Sequence, residues 1–177
     1  NEALATGDSV RVTAYDGCID GAELRVLRDA YRELAAAAIA ARGNPAAAAE
    51  LPALQQRFRV LCALRDGAAG VSVLNRQLAQ ALAEAGLADR SRAQYPGRPL
   101  IIMRNDHELR LYNGDLGIVV DDEDGHPLAV FAHAGGVRLL PAARLPEHET
   151  AYALTVHKSQ GSEFDRIALV LPPAPAA

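Results

Sequence analysis

Residues 155–165 read TVHKSQGSEFD and form the densest group of chemically able side chains in the sequence. Thr155 and Ser159 carry hydroxyls, His157 and Lys158 carry N–H donors, and Gly161 permits close approach of its backbone. Glu163 is an acceptor suited to a ribose hydroxyl or a bound water. Such a set suits contacts to phosphate and sugar; the plain alternative is a solvated, hydrogen-bonded connector. Two specific chemistries fail. A Walker A loop needs Gly-x4-Gly-Lys-Ser/Thr, and no glycine lies among the eight residues before Lys158. A hydrolase triad built from His157, Ser159 or Ser162, and Asp165 lacks any Gly-x-Ser-x-Gly elbow.

Positioning this segment is the task of the elements around it. An apolar stretch leads in and the strand candidate 167–171 follows, which places the segment at the edge of an α/β sheet, where ligands commonly bind. Upstream, residues 9–14 are β-branched and predict a strand. Asp20 and Glu23 have capping-box spacing, and Leu24, Leu27, Tyr31, Leu34 and Ala38 recur at helical period until Gly43. Asn44-Pro45 opens a second helix, limited by Pro52. The apolar run 58–64 predicts a buried strand, the loop 65–70 ends it, and Ser72 is the expected cap of a helix that buries Leu74, Leu78 and Leu82 and stops at Gly86. Strand and helix in alternation indicate an α/β domain. Between Tyr95 and Pro146 the style changes to four short strands, 99–103, 116–120, 128–132 and 137–140, separated by turns at Asn113-Gly114, at 121–125 and at Gly135-Gly136. The expected organisation is an α/β unit over 1–95, a small β-barrel of SH3-like size over 96–147, and a return to the first unit over 148–177.

Half of the 177 residues are hydrophobic and 23% are charged, as in a globular protein with a core. The net charge of −4 excludes a global positive field. Lys158 is the only lysine, the other basic residues all being arginine. Cys18 and Cys62 stand apart without metal-ligand spacing, which predicts buried thiols in a reduced protein. No stretch reaches the ~20 apolar residues of a membrane span. With no signal peptide visible, the expected location is the cytoplasm and no membrane contact is expected. The chain begins at Asn1 without a methionine, which predicts a piece of a longer protein.

TVHKSQGSEFD resembles motif V of superfamily 1 helicases, and most closely that of the RecD family. RFRVLCALRDGAAGVSVLN (57–75) is similar to a RecD segment with a Leu-Cys-Ala-Leu-Arg core. GRPLIIMRNDHELRLYNGDLGIVVDD (97–122) resembles the start of the RecD β insert, and RLPEHETAYALTVHKSQGSEFD (144–165) joins that insert to motif V. The three matches occur in order; residues 1–56 match only loosely. The resemblance implies a second RecA-like (P-loop NTPase-type) motor domain carrying an SH3-like insertion, within an ATP-dependent 5′–3′ DNA helicase of double-strand break repair. Such helicases use ATP and Mg2+ between two motor domains, bind single-stranded DNA, and work in exodeoxyribonuclease V with RecB- and RecC-like partners.

By the same resemblance Thr155 and His157 face DNA, with Lys158 and Ser159 beside them, while Gly161 and Glu163 face the nucleotide. Arg65 and Asn75 are candidates for DNA or a domain interface, as are Arg104 and Asn105 on the insert; turns or loops held by their own side chains are the alternatives. The sequence has no Walker A lysine and no Walker B acid pair. The Arg-bearing motif IV and the Thr-Arg-Ala motif VI of the family fall outside it. The expectation is therefore a fragment that alone is inactive, binds no cofactor and contains no catalytic residue or metal site. The rival from another class is a non-motor DNA- or protein-binding module that keeps this half of the helicase fold.

Overall fold

Val60, Leu61 and Cys62 follow Arg59 in β1 (Arg59–Cys62), a strand buried at every position, as a central strand of a parallel sheet must be. The computed structural model describes Ile19 and residues 21–172. The expected strand 9–14, Cys18, and Asp20 with its capping box lie outside the described residues. Helix α1 (Gly21–Ala40) buries Leu27, Tyr31, Leu34, Ala35 and Ala38, the face its period predicts. At α2 (Pro45–Ala49), Asn44 Oδ1 accepts from the Ala47 N–H at 3.1 Å, and Pro45 occupies the first turn. Helix α3 (Leu51–Gln56) follows, with Pro52 in its own first turn. Helix α4 (Val71–Glu84) buries Leu74, Leu78 and Leu82. Its N-cap is Gly70 rather than Ser72: the Ser72 hydroxyl turns back to the Arg65 carbonyl at 3.3 Å and to Asp66 Oδ1 at 3.2 Å, holding the 65–70 loop instead.

The four expected strands of the insert are β2 (Pro99–Ile102), β3 (Leu116–Asp121), β4 (Pro127–His133) and β5 (Gly136–Pro141). A fifth, β6 (His148–Thr150), pairs antiparallel with β2, with Leu100 opposite Thr150. The order is β5-β4-β3-β2-β6, so the edge strands β5 and β6 are not bonded to each other. The expected barrel is in fact an open five-stranded sheet. The sheet buries both faces: Ile118, Val120 and Val130 join the core cluster that contains α1 and α4, while the alternate positions Leu100, Ile102, Val119, Ala129 and Phe131 form a separate apolar cluster with Leu111. Gly97 marks the contact with α1: a Cβ there would lie 2.9 Å from Ala35 Cα, so a larger residue would push the sheet off the helix.

After Thr150 the chain leaves this sheet, passes Ala151 and Tyr152, and enters the other as β7 (Ala153–Thr155). The apolar stretch that leads into the polar segment is thus reached by a chain that passes from one sheet to the other. The second sheet has the order β7-β1-β8, all parallel, with β8 at Ile167–Val170. Leu61 lies opposite Leu154 on one side and Leu169 on the other. Among the described residues no helix is long and apolar enough to cross a membrane.

Candidate functional site

Thr155 ends β7 at the carboxyl edge of the parallel sheet, beside Cys62, the last residue of β1. The Val156 N–H donates to the Cys62 carbonyl at 3.0 Å and fixes where the polar segment leaves the sheet. Thr155 Oγ1 accepts from the Lys158 N–H at 3.2 Å, and the Ser159 hydroxyl donates to the Val156 carbonyl at 2.8 Å. These bonds shape a single 3-10 turn, His157–Ser159, in which the His157 side chain is exposed. Thr155 and Ser159 therefore hold the turn, and His157 and Lys158 are the groups it presents.

Gly161 follows with φ +84°, a left-handed conformation with open space around it. Glu163 is exposed. The Asp165 N–H then donates to the Gln56 carbonyl at 3.0 Å and the Arg59 N–H to the Arg166 carbonyl at 3.1 Å, so the segment arrives at the amino edge of the sheet before β8. It spans the sheet from one edge to the other.

Arg65 leaves the same carboxyl edge in the loop after β1. Its Nη2 lies 2.7 Å from Glu149 Oε1 on β6, and the other oxygen of that carboxylate lies 3.5 Å from Lys158 Nζ. Lys158 Nζ is also 3.0 Å from the sulfur of Met103, which follows β2. Burial pushes the Glu149 carboxyl up, but the two cations outweigh it and hold it below the usual carboxylate value. The same contact raises Arg65 further above its ordinary value. One carboxylate from the insert sheet thus gathers two cations from the parallel sheet.

The remaining sequence candidates fall elsewhere. Asn75 on α4 hydrogen-bonds both backbone groups of Ala153 and so faces β7. Asn105 Oδ1 accepts from the Asn113 N–H at 2.8 Å and braces its own loop, while Arg104 beside it is exposed. For a metal ion, the described residues bring together Asp122, Asp124 and His126 in the exposed β3–β4 turn, but Asp122 already accepts from the His126 N–H at 2.7 Å.

Sequence reasoning missed Glu149 and Arg59. Glu149 stands in a stretch without a motif, and only its three-dimensional register with Lys158 reveals it. Arg59 did carry a signal, a lone cation inside an apolar run. Its side chain is fully buried, donating to the Ala151 carbonyl and, at 3.5 Å, to the Gln55 carbonyl, with Nε unpartnered. Its guanidinium carbon sits 5.1 Å from the ring centre of Phe164, a residue of the polar segment. Burial lowers its pKa, opposed by the neighbouring Tyr31.

No family model matches the sequence. Among curated proteins, the chain is 42% identical over 123 residues to the RecBCD enzyme subunit RecD of Mycolicibacterium smegmatis, covering 70% of this chain and 22% of that protein. It is 42% identical over 125 residues to the subunit of the same name from Haemophilus influenzae, covering 68% and 18%. It is 35% identical over 116 residues to the ATP-dependent RecD2 DNA helicase of Deinococcus radiodurans, covering 64% and 16%. With two sheets in a mixed α/β fold and these relatives, the chain is a homologue of the RecD-type helicases, matched over a segment that spans about a fifth of their length.

Proposed function

We propose that this chain is part of the second, RecA-like motor domain of an ATP-dependent DNA helicase of the RecD type, with the open five-stranded sheet, β2 to β6, as its insertion. The observation that carries this is the path of residues 155–165. They begin beside Arg65 at the ligand-binding edge of the parallel sheet and end under β1 at the opposite edge. What supports the reading is that a segment crossing the sheet can meet a different ligand near each end, which a coupling element between DNA and nucleotide requires.

In this scheme His157, Lys158 and Arg65 meet the phosphates of single-stranded DNA. Thr155 and Ser159 position them through the turn that they hold. Toward ATP with Mg2+ the chain offers Gly161, with open backbone, and Glu163, an exposed acceptor suited to ribose or water. It holds no cradle for the phosphates, because the sequence has no Walker A loop; that part of the site belongs to another motor domain. ATP, when bound, supplies the free energy that moves the two domains. What this chain contributes is a contact between segment and sheet: Phe164, next to Glu163, packs on the buried Arg59 of β1. The family's 5′–3′ polarity, its role in break repair and its RecB- and RecC-like partners extend the same proposal.

The test is Glu163→Gln in the full-length protein that carries this chain. DNA-stimulated ATP turnover and translocation should both slow by about tenfold or more, the scale of a lost polar contact of roughly 1.4 kcal/mol. Unchanged rates would remove the nucleotide role. The 177-residue chain by itself should turn over no ATP, and any DNA-stimulated hydrolysis by it would overturn the assignment of the phosphate cradle elsewhere.

A further inference from the structure

Glu149 stands where a ligand's anion would be expected. Its carboxylate lies between Arg65 and Lys158, 2.7 Å from one and 3.5 Å from the other, at the edge of the sheet where the polar segment begins. The three side chains keep 53%, 25% and 38% of their surface for Arg65, Lys158 and Glu149, so the cluster is open to solvent and not locked in a core. Ion pairs so exposed hold weakly and exchange easily. A phosphodiester offers the same cations two oxygens with a full negative charge, in a geometry Arg accepts readily.

We propose that Arg65 and Lys158 form a two-cation site for one backbone phosphate of single-stranded nucleic acid, and that Glu149 is a displaceable internal anion occupying it in the free protein. This rests on the DNA-binding role proposed above and adds a residue that opposes binding. The carboxylate keeps both cations oriented and side by side before DNA arrives. It also lowers the net charge of the site from two positive to one. Binding is then an exchange of anions, which makes the grip on each phosphate reversible. Because Glu149 belongs to β6 of the five-stranded sheet and both cations to the parallel sheet's edge, the exchange also releases a contact between the two sheets.

The experiment is fluorescence-anisotropy titration of a labelled oligothymidylate with the full-length protein that carries this chain and with its Glu149→Gln variant, over a series of salt concentrations. Glu149→Gln should bind roughly fivefold more tightly at low salt, the scale of one like-charge contact removed in water. Its salt dependence should steepen toward that of a second cation, about 0.7 in the log–log slope for a single strand. In an Arg65→Ala, Lys158→Ala background the same substitution should change neither affinity nor slope. If the full-length protein binds and Glu149→Gln leaves affinity and slope unaltered or weakens binding, the internal-anion role is wrong while the DNA role stands. If neither full-length protein binds the oligonucleotide, the DNA role fails and this site with it. A parallel titration with Mg-ATP identifies the source of the phosphate: tightening there and not with the oligonucleotide would overturn the assignment to a nucleic-acid backbone.

Discussion

The Asn75 side chain grips the backbone of Ala153 at both ends: its Nδ2 donates to the Ala153 carbonyl at 3.1 Å and its Oδ1 accepts from the Ala153 N–H at 2.9 Å. Among the described residues β7 is an edge strand, and its outward groups at Ala153 face α4 rather than another strand. The amide of Asn75 imitates one, and so sets where Thr155 and the polar segment begin. Asn75→Ala should lower stability by about 1–3 kcal/mol, the cost of leaving such groups unsatisfied, read from urea unfolding midpoints. A change under half of that would mean water replaces the amide freely.

Arg59 should be needed for its length as much as for its charge. It carries a buried cation that no carboxylate neutralises among the described residues, and it holds the Ala151 carbonyl at the crossing between the two sheets. Arg59→Ala should cost about 2–5 kcal/mol, as large-to-small changes in cores do. Arg59→Met, which keeps the stem and removes the charge, should cost distinctly less. Equal losses in thermal unfolding would place the whole effect in the charge.

Stability should fall on the alkaline side. Burial pushes the Cys62 thiol from 9.0 up to about 11, and it raises the hydroxyls of Tyr31, Tyr95 and Tyr152 above their usual 10.0. Each group is protonated in the folded chain at a pH where the unfolded chain has already lost its proton. The stabilisation is therefore complete below about pH 9 and is lost as pH rises through 9–11. Denaturant midpoints measured from pH 7 to 11 should stay level and then decline. In Cys62→Ala the decline should start later, near the tyrosine range; an identical profile would exclude the thiol as a contributor.

Arg92 holds the buried carboxylate of Asp121 with two bonds, 2.8 Å and 2.7 Å, and reaches the Gly125 carbonyl at 3.3 Å. Asp121 ends β3, so the pair anchors the turn to the segment that follows α4. Arg92→Ala should destabilise by about 2 kcal/mol, below the 3–5 kcal/mol of fully buried pairs because Arg92 is one-third exposed. Arg92→Lys should recover only part of it, since an ammonium cannot make the planar two-bond contact. Full recovery by lysine in chemical unfolding would reduce the pair to simple charge.

The sequence by itself determined the local elements and the polar segment. The faces of α1 and α4, the cap at Asn44, the buried β1 and the four strands from Pro99 to Pro141 all follow from period and turn chemistry, which act over a few residues. Tertiary structure alone decided what those elements do to one another. It divided residues 148–155 between two sheets, packed one face of the insert sheet on the helices while its edge strands β5 and β6 stayed unpaired with each other, and moved the cap of α4 from Ser72 to Gly70. It also paired Arg65 with Glu149, 84 positions away, and Asn75 with Ala153, 78 positions away. Such contacts depend on strand register and on which sheet a strand joins. Both are set by the burial of the whole core, and no window of neighbouring residues contains them.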